Sequence, residues 1–322
     1  MLLGMSVRVP GTAGRHRRVR APDVGAFRPD YGRPVRGQVV GLWRYPVKSM
    51  LGESLHEAEV GPAGVVGDRA FALIDGGDGK VASAKNPRKW GPLLACRAGF
   101  VDDDAVEITL PDGSRVRTDD PDVDAVLSKA VGRDVRLAAT APEDRAFEEV
   151  WPDIEGLAPE NVIAGTGIGT EESGERVSQF ALGMAAPPGT FFDLSVLHVL
   201  TTATLARLQE LAPEATFDVR RYRPNVLVDL DGTPPGFVEN EWPGRTLSLG
   251  GDVRMAVTLP TMRCVMTTLP QEELPLDRGT LRAIAAHNRV EITGLGTWAC
   301  AGVYGDVAAA GHLRVGDPVG VE

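Results

Sequence analysis

A cysteine beside an arginine is the strongest chemical feature of the chain. Cys264 ends the run Thr261-Met262-Arg263-Cys264, just after a predicted strand. A neighbouring guanidinium lowers the pKa of a thiol and favours the thiolate, which is the form that binds metals and attacks electrophiles. Soft thiolate suits a soft or high-valent metal centre. The competing interpretation is a buried cysteine that packs as a small hydrophobic side chain.

Two other segments carry cationic side chains next to predicted strands. The run Arg220-Arg221-Tyr222-Arg223-Pro224-Asn225 places three arginines and an amide directly before a strand. Arginine forks suit phosphate, and asparagine offers a donor and an acceptor to a heterocycle. The run Tyr45-Pro46-Val47-Lys48-Ser49 follows the first strand and could give an ammonium and a hydroxyl to the same anion. In isolation, each run is also compatible with a solvated charged turn.

Size, charge and cysteine content restrict the class of protein. The chain has 322 residues, enough for two domains, and its formal net charge of -10 argues against nucleic acid as the main partner. Its three cysteines form no C-x-x-C pair, so this chain alone builds no disulfide framework, zinc ribbon or iron–sulfur cluster. A reducing cytoplasm fits this pattern. No apolar run approaches the roughly 20 residues of a membrane span.

The elements that must position these residues are mostly short strands. Residues 1–36 carry eight arginines against two acids and predict a disordered basic tail, with an organellar transit peptide as the alternative. Residues 37–140 predict a β-barrel-type domain with one helix from Pro121 to the glycine at position 132. Residues 141–190 lose periodicity and predict a linker with a mobile loop. Residues 191–322 return to strands with two or three helices.

This pattern predicts a mostly β, α+β fold: a barrel core preceded by a smaller β-rich domain. No G-x-G-x-x-G motif follows a strand, so a dinucleotide-binding sheet is not expected. Pro260 is expected to stop the strand that precedes Cys264. Cys96, Cys300 and His198 lie in apolar runs and are predicted to pack in the core, with the histidine satisfied there.

Five motifs occur in the order found in a known family. They are Tyr45-Pro46-Val47-Lys48-Ser49, Gly67-Asp68-Arg69, Arg223-Pro224-Asn225, Arg263-Cys264 and Val315-Gly316-Asp317-Pro318-Val319. Together they resemble the MOSC proteins, named after the C-terminal domain of molybdenum cofactor sulfurase. The similarity is greatest to the branch with an N-terminal β-barrel, which includes the amidoxime-reducing components, and it covers residues 37 to 322.

The resemblance implies a molybdopterin-type molybdenum cofactor and a set of residues that hold it. Cys264 matches the cysteine that ligates molybdenum. The positions that match or accompany cofactor contacts are Lys48, Ser49, Arg69, Arg223, Asn225, Arg263 and, more loosely, Ser195. Met262 stands where relatives carry a small polar residue, so one hydrogen bond to the cofactor is expected to be missing. Asp193 is a candidate for proton handling near the metal, or a turn or cap residue.

The resemblance also implies a molybdenum-dependent oxidoreductase that reduces small N-hydroxylated or related N–O compounds. Because the chain lacks a cluster-binding set of cysteines, electrons would come from a separate ferredoxin or reductase. Two alternatives remain open at this stage. The protein could be a cofactor or sulfur carrier in which Cys264 holds a persulfide without net redox catalysis, or a barrel-shaped binding module with a vestigial site.

Overall fold

Strands with alternating buried and exposed residues dominate the structure. The computed structural model describes residues 35–102, 105–141, 146–182 and 187–322. The strands are β1 (Val35–Arg44), β2 (Glu53–Leu55), β3 (Glu57–Gly61), β4 (Gly64–Val65), β5 (Ala72–Asp75), β6 (Arg97–Phe100), β7 (Val106–Thr109), β8 (Arg115–Arg117), β9 (Val135–Ala138), β10 (Ala146–Trp151), β11 (Gly167–Thr170), β12 (Arg176–Ala181), β13 (Leu197–Thr201), β14 (Val226–Leu230), β15 (Thr246–Leu249), β16 (Val253–Met262), β17 (Arg289–Ile292), β18 (Gly296–Ala309), β19 (Gly311–Arg314) and β20 (Pro318–Val321).

The helices are short and few by comparison. They are α1 (Pro87–Trp90), α2 (Val123–Val131), α3 (Glu160–Thr166), α4 (Thr202–Leu211) and α5 (Arg278–His287). Short 3₁₀ turns occupy Gly91–Ala95, Val219–Arg221, Val238–Glu241 and Val265–Thr268. None of the helices in the described ranges is long and apolar enough to cross a membrane.

Seven of the described strands close into a barrel. Their order is β13, β14, β1, β20, β15, β16 and β18, and β18 pairs back with β13. Only β13 and β14 run parallel; the other neighbours are antiparallel. Inward-facing side chains such as Val39, Leu247 and Met255 are fully buried and fill the barrel. The prediction of a mostly β fold with a barrel core is therefore confirmed.

The barrel is not built from the C-terminal residues alone. Strand β1, from the start of the fold, lies between β14 and β20. At Gly37 a Cβ atom would lie 2.1 Å from the Asp229 carbonyl oxygen, so this strand pair needs a glycine there. Residues 35 and 36 of the predicted tail already belong to β1, and the rest of that tail lies outside the described residues.

Residues that follow β1 form a second hydrophobic core. Strands β6, β7 and β8 form one small sheet, β5 pairs with β9, and α2 packs beside them. Helix α2 begins at Val123, two residues later than predicted, with Asp122 at its N-cap. It ends at Gly132 as predicted, where φ is +70°. Leu73, Leu93 and Leu127 are fully buried in this core.

The prediction that residues 141–190 form a linker without regular structure is wrong for the described part. Strands β10, β12 and β11 pair into a sheet, and α3 packs against β12. The sequence concealed β10 because Glu148 and Glu149 interrupt its apolar residues. Both carboxylates are buried and paired with lysines: Glu148 with Lys80 and Lys89, and Glu149 with Lys85. Two acidic residues that suggested a loop in the sequence therefore belong to a strand, where lysines pair with them.

Strand β16 continues through Pro260 and ends at Met262, contrary to the prediction that the proline stops it. The register of β16 against β18 shifts between Pro260 and Met262. A proline is tolerated in a strand at such a bulge because no ladder hydrogen bond needs its missing N–H. The bulge carries the chain directly to Cys264.

Candidate functional site

One cavity collects the side chains that the sequence predicted. All nine predicted site residues line it: Lys48, Ser49, Arg69, Asp193, Ser195, Arg223, Asn225, Arg263 and Cys264. They come from the ends of β1 and β16, from the starts of β13 and β14, and from the turn between β4 and β5. Since β1 and β14 are antiparallel neighbours, the end of one lies beside the start of the other. The barrel thereby gathers five distant segments at one place.

The cavity is strongly basic although the chain is acidic. Its lining includes the side chains of six cationic residues and a single carboxylate, Asp193; the cations are Lys48, Arg69, Lys85, Arg221, Arg223 and Arg263. The chain as a whole has a net charge of -10. A concave surface lined by one sign of charge raises the local concentration of ligands of the opposite sign. The cavity is therefore suited to an anion.

Two guanidinium groups pack on one tyrosine ring. The guanidinium carbons of Arg223 and Arg69 lie 4.2 and 4.5 Å from the centroid of Tyr45. Arg223 is buried, and its Nη1 donates to the carbonyl of Met50 at 2.6 Å. Burial, aided by the charge of Arg69, lowers the pKa of Arg223 to about 10. This arrangement is costly without an anion, because it desolvates one cation and brings a second close to it.

Arg263 is a second buried cation of the cavity. Its Nη2 donates to the Tyr222 carbonyl at 2.9 Å, while its Nε has no hydrogen-bond partner among the described residues. Within those residues, no carboxylate lies at ion-pair distance from Arg223 or Arg263 (the ion pairs of Arg69 and Lys48 are with Asp68 and Asp193). Two buried guanidinium groups therefore face the cavity without a carboxylate partner.

The backbone is strained at the same place. Four non-glycine residues of the described chain have positive φ, and three of them line the cavity: Ser49 at 65°, Arg69 at 50° and Arg223 at 54°. Each such residue costs about 1–3 kcal/mol, and strain of this kind clusters at functional sites. The chain is thus held in an unfavourable conformation where these three side chains are presented.

Asp68 ties three of the segments together. Its Oδ1 accepts from the Tyr45 amide at 2.7 Å, and its Oδ2 accepts from Asn225 Nδ2 at 2.8 Å and from Arg69. Asn225 Oδ1 in turn accepts from the backbone N–H of His198 at 3.1 Å. The amide predicted to contact a heterocycle is therefore largely committed to protein groups and acts as a positioning residue. Sequence reasoning did not single out Asp68, although it stands in a motif.

The predicted serines also hold the walls of the cavity. Ser49 Oγ accepts from the Ala84 amide at 3.0 Å, and Ser195 Oγ donates to the Gly305 carbonyl at 2.7 Å. Each hydroxyl keeps further hydrogen-bonding capacity for a ligand. The remaining arginines of the run before β14 differ in role. Arg221 is fully buried and donates to backbone carbonyls, and Arg220 forms ion pairs outside the cavity.

A chain of alternating charges crosses the cavity wall. Lys48 Nζ donates to the Phe191 carbonyl at 2.8 Å and to Asp193; Lys85 Nζ lies 3.3 Å from Asp193 and 3.1 Å from Glu149. Burial opposes ionisation of Asp193, but the ammonium groups of Lys48 and Lys85 hold its pKa well below the usual range. Asp193 is therefore an ionised acceptor. Asp193 was predicted to handle protons near the metal or to serve as a turn or cap residue, and its depressed pKa makes it a hydrogen-bond acceptor at neutral pH.

Cys264 lies at the edge of the cavity, partly exposed, between β16 and the 3₁₀ turn Val265–Thr268. Burial raises the pKa of its thiol, and the nearby charges of Lys85 and Arg263 offset this only in part. The expectation of a lowered pKa for Cys264 is therefore wrong, although Arg263 itself acts in the expected direction. The error came from arguing from a sequence neighbour, whereas desolvation is the larger effect.

Other side chains of the site were missed or misjudged. Lys85 and Tyr304 line the cavity, and no pattern in the sequence pointed to them. His198 is buried as predicted, but it is not satisfied, because its Nε2 lacks a partner among the described residues. Burial, and then the charge of Arg263, hold the pKa of His198 well below its usual value, so it is neutral. Cys96 and Cys300 are buried free thiols, as predicted.

Family models match both halves of the chain. Residues 36–148 match the MOSC N-terminal beta barrel domain, and residues 189–320 match the MOSC domain. The chain belongs to the MOSC family. This confirms the resemblance drawn from five short motifs and relates the protein to the molybdenum cofactor. In the described part of this MOSC protein, no cluster of three or more His, Cys, Asp or Glu side chains could hold a metal ion.

Two individual proteins are similar to this MOSC protein. Mitochondrial amidoxime-reducing component 1 from Mus musculus is 25% identical over 315 residues, which cover 88% of this chain and 82% of the relative. The solved structure of the YUAD protein from Bacillus subtilis is 10% identical and covers 90% of this chain and 97% of its own. Its TM-score with this chain is 0.42.

Proposed function

We propose that the basic cavity binds a molybdopterin-type molybdenum cofactor, with Cys264 as the protein's ligand to the metal. The observation that carries this proposal is a partly exposed thiol in the wall of a cavity where two buried guanidinium groups, those of Arg223 and Arg263, lack a carboxylate partner among the described residues. A phosphate-bearing cofactor supplies the missing negative charge. A coordinating metal also deprotonates a thiol outright, which removes the obstacle of the raised pKa at Cys264.

The residues present fit such a group. Arg223 and Arg263 offer buried guanidinium groups that have no carboxylate partner among the described residues, and Arg69 and Lys48 add positive charge. His198 also lines the cavity, and its buried Nε2 has no hydrogen-bond partner among the described residues. Asp68 and Asn225 are positioning residues for the cofactor. Asp68 holds Arg69 and Tyr45, and Asn225 holds the backbone of His198. The strain at Ser49, Arg69 and Arg223 is then part of a site shaped before its ligand arrives.

We further propose that the protein is an oxidoreductase that reduces N-hydroxylated compounds or related N–O compounds. In this reaction the N–O bond breaks, two electrons and two protons are taken up, and water leaves. When bound, the cofactor supplies the redox chemistry that side chains cannot. The similarity to a protein named as an amidoxime-reducing component supports this assignment.

The chain's own residues would control charge and protons around the reacting group. Lys48 and Lys85 keep Asp193 ionised, so it can accept hydrogen bonds from an N–H of the substrate. Burial raises the pKa of Glu149, although Lys85 partly offsets it, so its carboxyl can hold and release a proton near Cys264. Electrons would come from a separate ferredoxin or reductase. Free cysteines fit the cytoplasmic location that we propose.

Turnover by the metal-loaded protein tests this function. The substrate is benzamidoxime, the electron donor is a chemically reduced viologen, and the product is benzamidine. We expect reduction by the wild type, none by Cys264→Ala, and wild-type rates for Cys96→Ala, which removes a buried thiol outside the cavity. Lack of turnover at full molybdenum occupancy would refute the reductase assignment.

A cofactor or sulfur carrier would use the same cavity without net redox catalysis. The partial exposure of Cys264 is the observation that keeps this alternative in view, because a persulfide sulfur must reach an acceptor. Mass spectrometry of the peptide that contains Cys264 distinguishes the two. A persulfide adds the mass of one sulfur to that peptide, and a thiol that was a metal ligand returns unmodified.

A further inference from the structure

Cys264 separates two cavities of opposite character. The basic cavity lies on one side, and a second cavity shares with it a wall that includes Cys264, Asp193, Lys85 and Tyr304. Away from this wall, the second cavity is lined mainly by apolar side chains: Phe147, Trp151, Val162, Phe180, Leu295 and Trp298. We call it the apolar chamber. A molecule in the chamber can therefore contact Cys264.

The chamber is built by the segment that sequence reasoning took for a linker. Phe147 and Trp151 lie on β10, Phe180 on β12 and Val162 on α3. Strand β10 is fixed to the cavity wall, because the Val150 amide donates to the Lys85 carbonyl at 2.9 Å. The 141–190 region thus carries one side of the chamber, and the β17–β18 turn carries the other with Leu295.

The aromatic rings of the chamber are already arranged in pairs. Phe180 stacks on Phe147 with centroids 5.8 Å apart and meets Trp151 edge-on at 6.3 Å, and Trp151 lies 6.1 Å from Trp298. Phe147 and Trp151 are buried, whereas Phe180 is partly exposed and Leu295 is 42% exposed. Phe180 and Leu295 therefore form the accessible end of an apolar surface that a flat ring would cover.

The size of the chamber restricts its occupant. Its volume is about 140 Å³. An apolar protein cavity of about 150 Å³ accommodates one benzene molecule. The charged residues of the inner wall are two cations, Lys85 and Arg263, and two acids, Glu149 and Asp193, and Lys85 pairs with both acids. The chamber therefore matches one uncharged ring with a short polar group that meets these carboxylates and Cys264.

We propose that the apolar chamber binds the monocyclic aromatic body of the substrate and directs a short N–O head group to Cys264. Phe180 and Leu295 are the residues that determine this preference. The reaction at the head group rests on the proposed function, whereas recognition of the ring does not. The substrates are thus aryl compounds with the N–O group attached close to the ring.

Calorimetric titration with a matched pair of ligands tests the recognition without turnover. Benzamidoxime carries a ring, and acetamidoxime carries a methyl group in its place. We expect benzamidoxime to bind the purified protein on the order of ten- to a hundredfold more tightly, because burial of a ring removes more apolar surface from water. Only benzamidoxime should perturb the fluorescence of Trp151 and Trp298. Equal affinities, or no measurable binding of either compound, would overturn the proposal.

Three variants locate the site. We expect Phe180→Ala to weaken benzamidoxime binding about three- to tenfold, the range of one lost aromatic pair. Leu295→Gln should also weaken it, and this variant changes a side chain that is 42% exposed. Leu276→Gln is the matched control, since Leu276 is 56% exposed and lies outside the chamber. Unchanged affinity in both chamber variants contradicts the proposal.

Kinetics separate this inference from the proposed function. If benzamidoxime binds through Phe180 and Leu295 but is not reduced, the reductase assignment fails and the chamber stands. If benzamidoxime is reduced and its KM is the same in wild type and both chamber variants, the chamber assignment fails and the reductase stands. Under both proposals, the variants raise KM and leave kcat near the wild-type value.

Discussion

Replacing Asp68 with asparagine removes the charge that joins three segments of the cavity. The Asp68 carboxylate is fully buried and accepts from the Tyr45 amide, Asn225 Nδ2 and Arg69. An asparagine can keep one oxygen toward Tyr45. Its NH₂ group then faces the donors of Asn225 and Arg69, so both of those hydrogen bonds are lost. We expect Asp68→Asn to destabilise the fold and also to release the Arg69 side chain from its ion pair.

The size of the effect follows from the two lost bonds. A hydrogen bond to a charged group contributes about 1.5–3 kcal/mol, and an unmatched buried donor adds a desolvation cost. The Arg69 side chain is 16% exposed, so water screens part of its loss. We therefore expect Asp68→Asn to lower the free energy of unfolding by about 3 kcal/mol.

Urea unfolding at neutral pH, followed by circular dichroism, measures this change. Asp112→Asn is the matched control, because Asp112 is an exposed carboxylate that accepts from the Ser114 amide at 2.9 Å in the β7–β8 turn. We expect the control to leave the urea midpoint unchanged. A loss below about 1 kcal/mol for Asp68→Asn would show that the Asp68 carboxylate does not hold the Tyr45, Arg69 and Asn225 segments together.

Three further predictions concern the charges around Cys264. Burial raises the pKa of Asp193 in the folded protein, but Lys48 and Lys85 lower it by more, so the folded-state pKa is depressed. The stability that ionised Asp193 contributes is therefore present above its unfolded pKa of about 4 and is lost as the pH falls toward the folded-state pKa. Asp193→Asn should therefore flatten the fall of the urea midpoint between pH 5 and pH 3. Lys85→Met should raise the pKa of Cys264 further and slow its alkylation by iodoacetamide in the metal-free protein, whereas Lys80→Met, which removes a cation paired with Glu148, should not. Arg223→Lys removes the guanidinium fork and should weaken cofactor retention about tenfold, measured as molybdenum remaining after dialysis. The control is Arg220→Lys, which alters an arginine that is ion-paired with Asp218 and Glu273 outside the cavity. Equal molybdenum retention in the Arg223 and Arg220 variants would contradict the anion-binding role of Arg223.

Sequence patterns predicted the local elements because these depend on neighbouring residues. The hairpin of β15 and β16 follows from alternating apolar residues around Gly250, and α4 follows from Thr201, whose hydroxyl accepts from the Thr204 amide. The pairing of distant strands has no such local signal. Nothing within β1 indicates that it lies between β14 and β20, so the order of the strands around the barrel could not be predicted.

Residues of the candidate site that stand in motifs were predicted from the sequence, and residues outside motifs were not. Lys48, Arg223 and Cys264 were predicted from short runs and do line one cavity. Lys85 lies in an ordinary loop sequence, and its role depends on Asp193 and Glu149, more than sixty residues further along the chain. The raised pKa of Cys264 likewise depends on how deeply the fold buries the thiol. Through-space charge and desolvation are properties of the folded chain.

X-ray absorption at the molybdenum edge tests the central assignment most directly, because it counts the sulfur atoms bound to the metal. For Cys264→Ala, our account predicts one sulfur fewer than in the wild type, or loss of the metal, and an unchanged sulfur shell for Cys96→Ala. A Cys264→Ala protein that retains its molybdenum with the same number of sulfur ligands would contradict the assignment.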